Sequence, residues 1–229
     1  MDIDNLVNKA KLKNYNKLEQ FEKIKINIKI GIMGGTFNPI HYAHLATAEF
    51  IRDKYKMDKI LFIPSGNPPH KKAEITNKYD RYKMVLLATY TNHDFLVSDI
   101  EIKGREKTYT IDTLIKLKEN YKNAELYFIT GADAICDIES WKDINENFRL
   151  ATFIAATRPG ISVLSAQEKI DMLIEKYNAN IINVYVPSLD ISSTYIREQL
   201  KEKKSIRYLV PDDVAKYIYN NELYTYGDK

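Results

Sequence analysis

The chain has 229 residues, with 34 Lys and Arg against 31 Asp and Glu and a formal net charge of +3. That length can bury a sizeable core without covalent staples, and the single cysteine, Cys136, excludes an intrachain disulfide. The charge is too balanced for a nucleic-acid coat, and no run of about 18 apolar residues offers a membrane span. The expectation is therefore a cytoplasmic protein that contacts neither nucleic acid nor membrane.

Residues 1–23 set Ile3, Leu6, Val7 and Ala10 at helical spacing and then become rich in Lys and Asn. They are expected to form an N-terminal extension, either a short, loosely docked helix or a disordered tail, ahead of one domain spanning 24–229. From Ile26 the pattern changes. INIKIGIM is β-branched and apolar, a glycine pair follows, and Leu45, Ala48, Ile51 and Tyr55 then recur at helical spacing. The alternation continues with KILFIP (59–64) as a strand, 79–90 as a helix, FLVSDIEI (95–102) as a strand and 109–121 as a helix. ELYFITG (125–131) and ATFIAATRPG (151–160) are strands ending at Gly or Pro, followed by a helix near 165–177 and the strand NIINVYV (180–186). SSTYIREQLKEKK and PDDVAKYIYNNELY open with capping-type residues and close the chain as helices. This order predicts a single α/β domain, with a doubly wound, mostly parallel, Rossmann-like sheet and helices on both faces.

In such a sheet ligands gather beyond the carboxyl ends of the strands. Five polar loops lie there: GGTFNPIHYAH after the first strand, then SGNPPHK, GADAICDIESW, TRPG and SLDISSTYIR. In the first, Gly34 and Gly35 let the backbone turn sharply and a ligand approach main-chain N–H groups. The helix that follows offers unpaired N–H donors at its start, a site that favours phosphate, and His41 and His44 sit together on its first turn. The stretch is neither GxGxxG nor a P-loop, and a zinc site would need a third ligand that no HExxH or cysteine pair supplies. No metal-ligating residues are expected.

GGTFNPIHYAH resembles the GxFxPxHxGH signature of the nucleotidyltransferase superfamily. With NPPHK (67–71), TYTIDTL (108–114), ITGAD (129–133), Trp141, RPG (158–160) and ISSTYIR (191–197) in this order, the chain is similar to bacterial-type nicotinate mononucleotide adenylyltransferases over about residues 28–225. It departs from the family at Asn38, where Asp is usual, at Ala43, where Gly is usual, and at Lys142, where an aromatic often stands.

The resemblance implies adenylyl transfer from ATP to nicotinate mononucleotide, giving nicotinate adenine dinucleotide and pyrophosphate, a step of NAD biosynthesis. It implies catalytic roles for His41, His44 and Arg197, and ATP contacts from Gly35, Thr36, Phe37, Asp133, Arg158, Ser192 and Ser193. Mononucleotide contacts fall on Lys71, Tyr109, Thr110 and Trp141. Mg2+ is expected with ATP, and a homodimer is compatible with the pattern. A pantetheine-phosphate adenylyltransferase shares the first motif but explains neither Trp141 nor ISSTYIR so well. A non-catalytic nucleotide-binding module would not need both histidines and Arg197.

Overall fold

The six apolar runs form six parallel strands: β1 (Ile28–Gly35), β2 (Lys59–Pro64), β3 (Phe95–Val97), β4 (Ala124–Gly131), β5 (Thr152–Thr157) and β6 (Ile181–Tyr185). The structure is a computed structural model that describes residues 2–22, 28–68, 75–104, 107–157, 163–187 and 189–225. The strands lie side by side in the order β3-β2-β1-β4-β5-β6, so the chain reverses its direction of growth between β1 and β4. Register runs from Ile30 opposite Lys59 to Gly35 opposite Pro64 on one side of β1, and from Ile28 opposite Ala124 to Met33 opposite Ile129 on the other.

Successive strand residues point to opposite faces. Ile60 and Phe62 accordingly join one core with α2 (Tyr42–Lys54), α3 (Lys78–Thr89), α8 (Ser193–Lys201) and α9 (Asp212–Asn220), while Leu61 and Ile63 join a second core. That second core packs against α4 (Thr110–Asn120), α6 (Ile144–Leu150) and α7 (Val163–Tyr177). Parallel strands covered on both faces read as continuous apolar runs, which is why β1, β2 and β5 were legible.

Three stretches differ from expectation. The segment expected as a short, loosely docked helix or a tail is a 20-residue helix, α1 (Ile3–Glu22), whose Ile3, Leu6, Val7 and Ala10 are buried in the first core and whose Phe21 is buried in the second. It therefore crosses the edge of the sheet at β3. The Asn14 amide donates to Val97 O and its oxygen accepts from Val97 N–H, both at 2.9 Å, and the Lys17 ammonium donates to Phe95 O at 3.2 Å and Asn92 O at 2.6 Å. Side chains thus take the place of a further strand and close an otherwise open edge. The predicted strand 95–102 stops at Val97: Ser98 N–H still donates to Phe62 O, but the chain then turns, with Lys103 N–H on Asp99 O. Finally, the expected loop GADAICDIESW (131–141) is mostly helical, and a further helix follows it. The stretch holds α5 (Ala132–Cys136) and a 3-10 turn (Ile138–Ser140), and α6 comes next, each too short to impose a period.

Candidate active site

At the carboxyl end of β1 the chain must leave the sheet within a few residues. A Cβ on Gly35 would lie 3.1 Å from the Phe37 ring, so glycine allows the turn to fold over its own backbone. Phe37 takes φ 48, and the Asn38–Pro39 peptide is cis. The Phe37 side chain is buried, edge-on to the His44 ring and tilted on Phe62. It therefore anchors the loop in the core and leaves any ligand contact to its main chain.

His41 is the N-cap of α2 and is 2% exposed. Its ring stacks on His44 with centroids 3.7 Å apart and planes 29° apart. Two imidazolium rings stacked this closely would repel, so the arrangement disfavours a doubly charged pair. The His41 N–H donates to His44 Nδ1 at 3.3 Å, which in the neutral ring places the His44 proton on Nε2. His44 is thereby held as an N–H donor at the start of a helix.

The N-terminus of α8 is bolted onto the same loop. Ser193 Oγ donates to Pro39 O and Arg197 Nη1 donates to Asn38 O, both at 2.8 Å, while the Asn38 side chain accepts from the Tyr224 hydroxyl at 2.9 Å. Burial pushes the Tyr224 phenol up to about 12, so it remains a donor across the physiological range. Where the family usually carries Asp, Asn38 takes a neutral structural bond.

Beneath the loop lies Arg81 of α3, 1% exposed. Its guanidinium donates to Thr36 O at 2.7 Å, to Gly66 O at 3.1 Å and to Thr76 O at 2.9 Å, tying together the chain after β1, the chain after β2 and the entrance to α3. Burial lowers its pKa from the ordinary arginine value while Tyr224 and Glu101 oppose the shift, and the group stays charged. Gly66 itself approaches so closely that a Cβ there would collide with the Glu101 carbonyl.

Two cavities flank the wall made by Gly34, Gly35 and Thr130, at the point where the sheet reverses between β1 and β4. One, of about 450 Å³, is lined by His44, Thr47, Gly131 and Asp133. The other, of about 250 Å³, is lined by Thr36, Glu101, Tyr109, Thr110, Trp141 and Lys142. Trp141 stands edge-on to Phe128 at 5.9 Å and to Phe153 at 6.4 Å, which fixes its plane against the second core. Burial raises the Glu101 carboxyl above its usual range, against hydrogen bonds from Thr113 Oγ1 at 2.8 Å and Gly66 N–H at 3.4 Å and the charge of Arg81.

Residues 32–199 match the cytidylyltransferase-like family. A Thermoanaerobacter protein named "Probable nicotinate-nucleotide adenylyltransferase" is 49% identical, over 86% of this chain and 94% of its own length. A Moorella thermoacetica protein of the same name is 46% identical, over 86% of this chain and 91% of its own. The chain belongs to the nicotinate-nucleotide adenylyltransferase family. The solved nicotinic acid mononucleotide adenylyltransferase of Plasmodium falciparum, complexed with NaAD, superposes with a TM-score of 0.71 at 25% identity, covering 86% of this chain and 98% of that one.

Gly35, Thr36, His41, His44 and Arg197 lie on or against the chain that follows β1, Asp133 lines the cavity that His44 lines, and Tyr109, Thr110 and Trp141 line the other. Ser192 and Ser193 sit beside them: Ser192 Oγ accepts from Tyr195 N–H at 3.1 Å as the α8 cap, which leaves its O–H to donate, whereas the Ser193 O–H is spent on Pro39 O. Lys71 and Arg158 lie outside the described residues. Sequence reasoning missed Arg81 and Glu101. A signal for Arg81 was present, since it shares the helical core face of Met84, Val85 and Ala88, where a charge is out of place unless it is paired.

Proposed function

We propose that this adenylyltransferase joins ATP, bound on the His44 and Asp133 side, to nicotinate mononucleotide, bound on the Trp141 side. The single observation that carries the assignment is the pair of cavities meeting at the Gly34, Gly35 and Thr130 wall. A phosphate oxygen of the mononucleotide attacks the α-phosphorus of ATP, the bond from that phosphorus to the bridging oxygen breaks, and pyrophosphate leaves with the electron pair. No enzyme-bound covalent intermediate is required, so catalysis consists of alignment and of stabilising charge on the α-phosphoryl group.

His44 donates its Nε2–H to that group, and His41 fixes the orientation of His44 by stacking and capping. The N–H groups that open α2 and the Arg197 guanidinium add positive potential on the pyrophosphate side. Asp133 accepts from the adenosine ribose. Among the described residues no group of three His, Cys, Asp or Glu side chains is placed to hold a metal ion. Mg2+ would come with ATP, held by phosphate oxygens and water, and would neutralise triphosphate charge. The enzyme acts in the cytoplasm, and a homodimer is compatible with this reading.

The test is pyrophosphate release with ATP and a panel of acceptors: nicotinate mononucleotide, nicotinamide mononucleotide and phosphopantetheine. Nicotinate mononucleotide should give the highest kcat/KM. Faster turnover with phosphopantetheine would reassign the acceptor, and ATP binding without turnover of any acceptor would leave a nucleotide-binding module.

A further inference from the structure

Among the described residues, two charged side chains line the acceptor-side cavity, Glu101 and Lys142. The Glu101 carboxylate is committed to Thr113 and to the Gly66 N–H. Lys142 is the cavity's one described cation, and it follows directly on Trp141, whose indole offers the cavity a flat face on which an acceptor ring can stack.

Its ammonium stands 5.0 Å from the Tyr109 ring centroid and 3.2 Å from Asp112 Oδ1. Tyr109 is the N-cap of α4, Thr110 is its first residue, and both line the same cavity. The main-chain N–H groups at such a start lack helical partners. The positive end of the helix and the ammonium thus act on one corner of the cavity, beside the ring of Trp141. The ion pair with Asp112 does not consume this potential. Its two side chains are 45% and 44% exposed, and solvated pairs of this kind hold weakly and exchange readily.

We infer that Lys142 is a specificity-determining residue that pairs with the ring carboxylate of the acceptor and so selects the acid over the amide. The inference rests on the acceptor assignment above and goes beyond it: Trp141 selects for a flat ring, and Lys142 selects for negative charge on that ring. A neutral carboxamide at the same place can accept a hydrogen bond but gains no charge-assisted one, so the two acceptors diverge.

The test compares kcat/KM for nicotinate and nicotinamide mononucleotides at saturating ATP in the wild type, Lys142→Met and Lys142→Arg, with thermal unfolding measured beside each. In Lys142→Met the acid-to-amide ratio should fall about 10-fold, whereas Lys142→Arg should keep it within about 3-fold of the wild type. A ratio unchanged in Lys142→Met, with both acceptors falling together, would overturn the inference and leave Lys142 as a pocket wall pinned by Asp112. Failure of the acceptor assignment looks different: the wild type itself would turn over neither mononucleotide.

Discussion

His44 has two separable jobs, and paired substitutions can divide them. Its Nδ1 accepts from the His41 N–H, a capping function, and its Nε2–H is the proposed donor to the α-phosphoryl oxygen. Asparagine places its side-chain oxygen where Nδ1 was, so His44→Asn keeps the cap and loses the donor. Glutamine reaches the Nε2 position, so His44→Gln restores an N–H donor and loses the cap. Loss of one positioned donor to a developing oxyanion costs about 10²- to 10³-fold in kcat, while loss of a helix cap costs about 1 kcal/mol, or about 2–4 °C in Tm for a domain of this size. The cap bond is long at 3.3 Å, which puts its loss toward the low end. His44→Asn should therefore show kcat down about 10²- to 10³-fold with Tm within about 1 °C and ATP KM little changed. His44→Gln should lose only about 10-fold in kcat but melt about 1–3 °C lower. Steady-state kinetics beside differential scanning calorimetry reads both. Near-normal turnover in His44→Asn, or turnover losses that track Tm across the two variants, would refute a donor role.

Asn14→Ala should cost about 2–4 kcal/mol, because the buried Val97 N–H and C=O both lose their partner, and urea unfolding should show it; an unchanged midpoint would mean that α1 does not close the β3 edge. Removing residues 1–23 should give aggregating protein through the bared edge, and a soluble, active truncation would overturn that account. Arg81→Lys should reach at most one of three carbonyls, lowering Tm by about 4–10 °C and kcat by about 10-fold, since the loops after β1 and β2 lose their common tie. Wild-type kcat in folded Arg81→Lys would remove Arg81 from loop positioning. Trp141→Ala should raise the acceptor KM about 5- to 30-fold for acid and amide alike while leaving ATP KM nearly unchanged, and an unaltered acceptor KM would refute stacking.

Much of this architecture is written in local chemistry. Strand β2 was legible to the residue, because a run such as KILFIP buried on both faces needs no tertiary knowledge to be read as a strand. The His41 and His44 pair was legible for a similar reason: glycines for a sharp turn, a helix start and two imidazoles one turn apart form a short-range pattern. What stayed hidden depends on partners far away in sequence. Asn14 looks like a polar residue on a weak helix until Val97, 83 positions on, supplies an edge strand whose N–H and C=O it can satisfy. Arg81 becomes a loop tie only when β1 and β2 bring Thr36 and Gly66 within reach of one guanidinium. The Ser193 hydroxyl looks like a free phosphate donor in sequence, yet folding spends its O–H on Pro39 O. By itself the sequence determined the six strands and most of the longer helices and marked the glycine-rich turn after β1, because periodicity, turn residues and helix caps act within a few residues. Only the tertiary structure decided which polar side chains are spent on the scaffold and which still face a ligand, because satisfying a buried N–H or C=O is a property of the whole packed molecule.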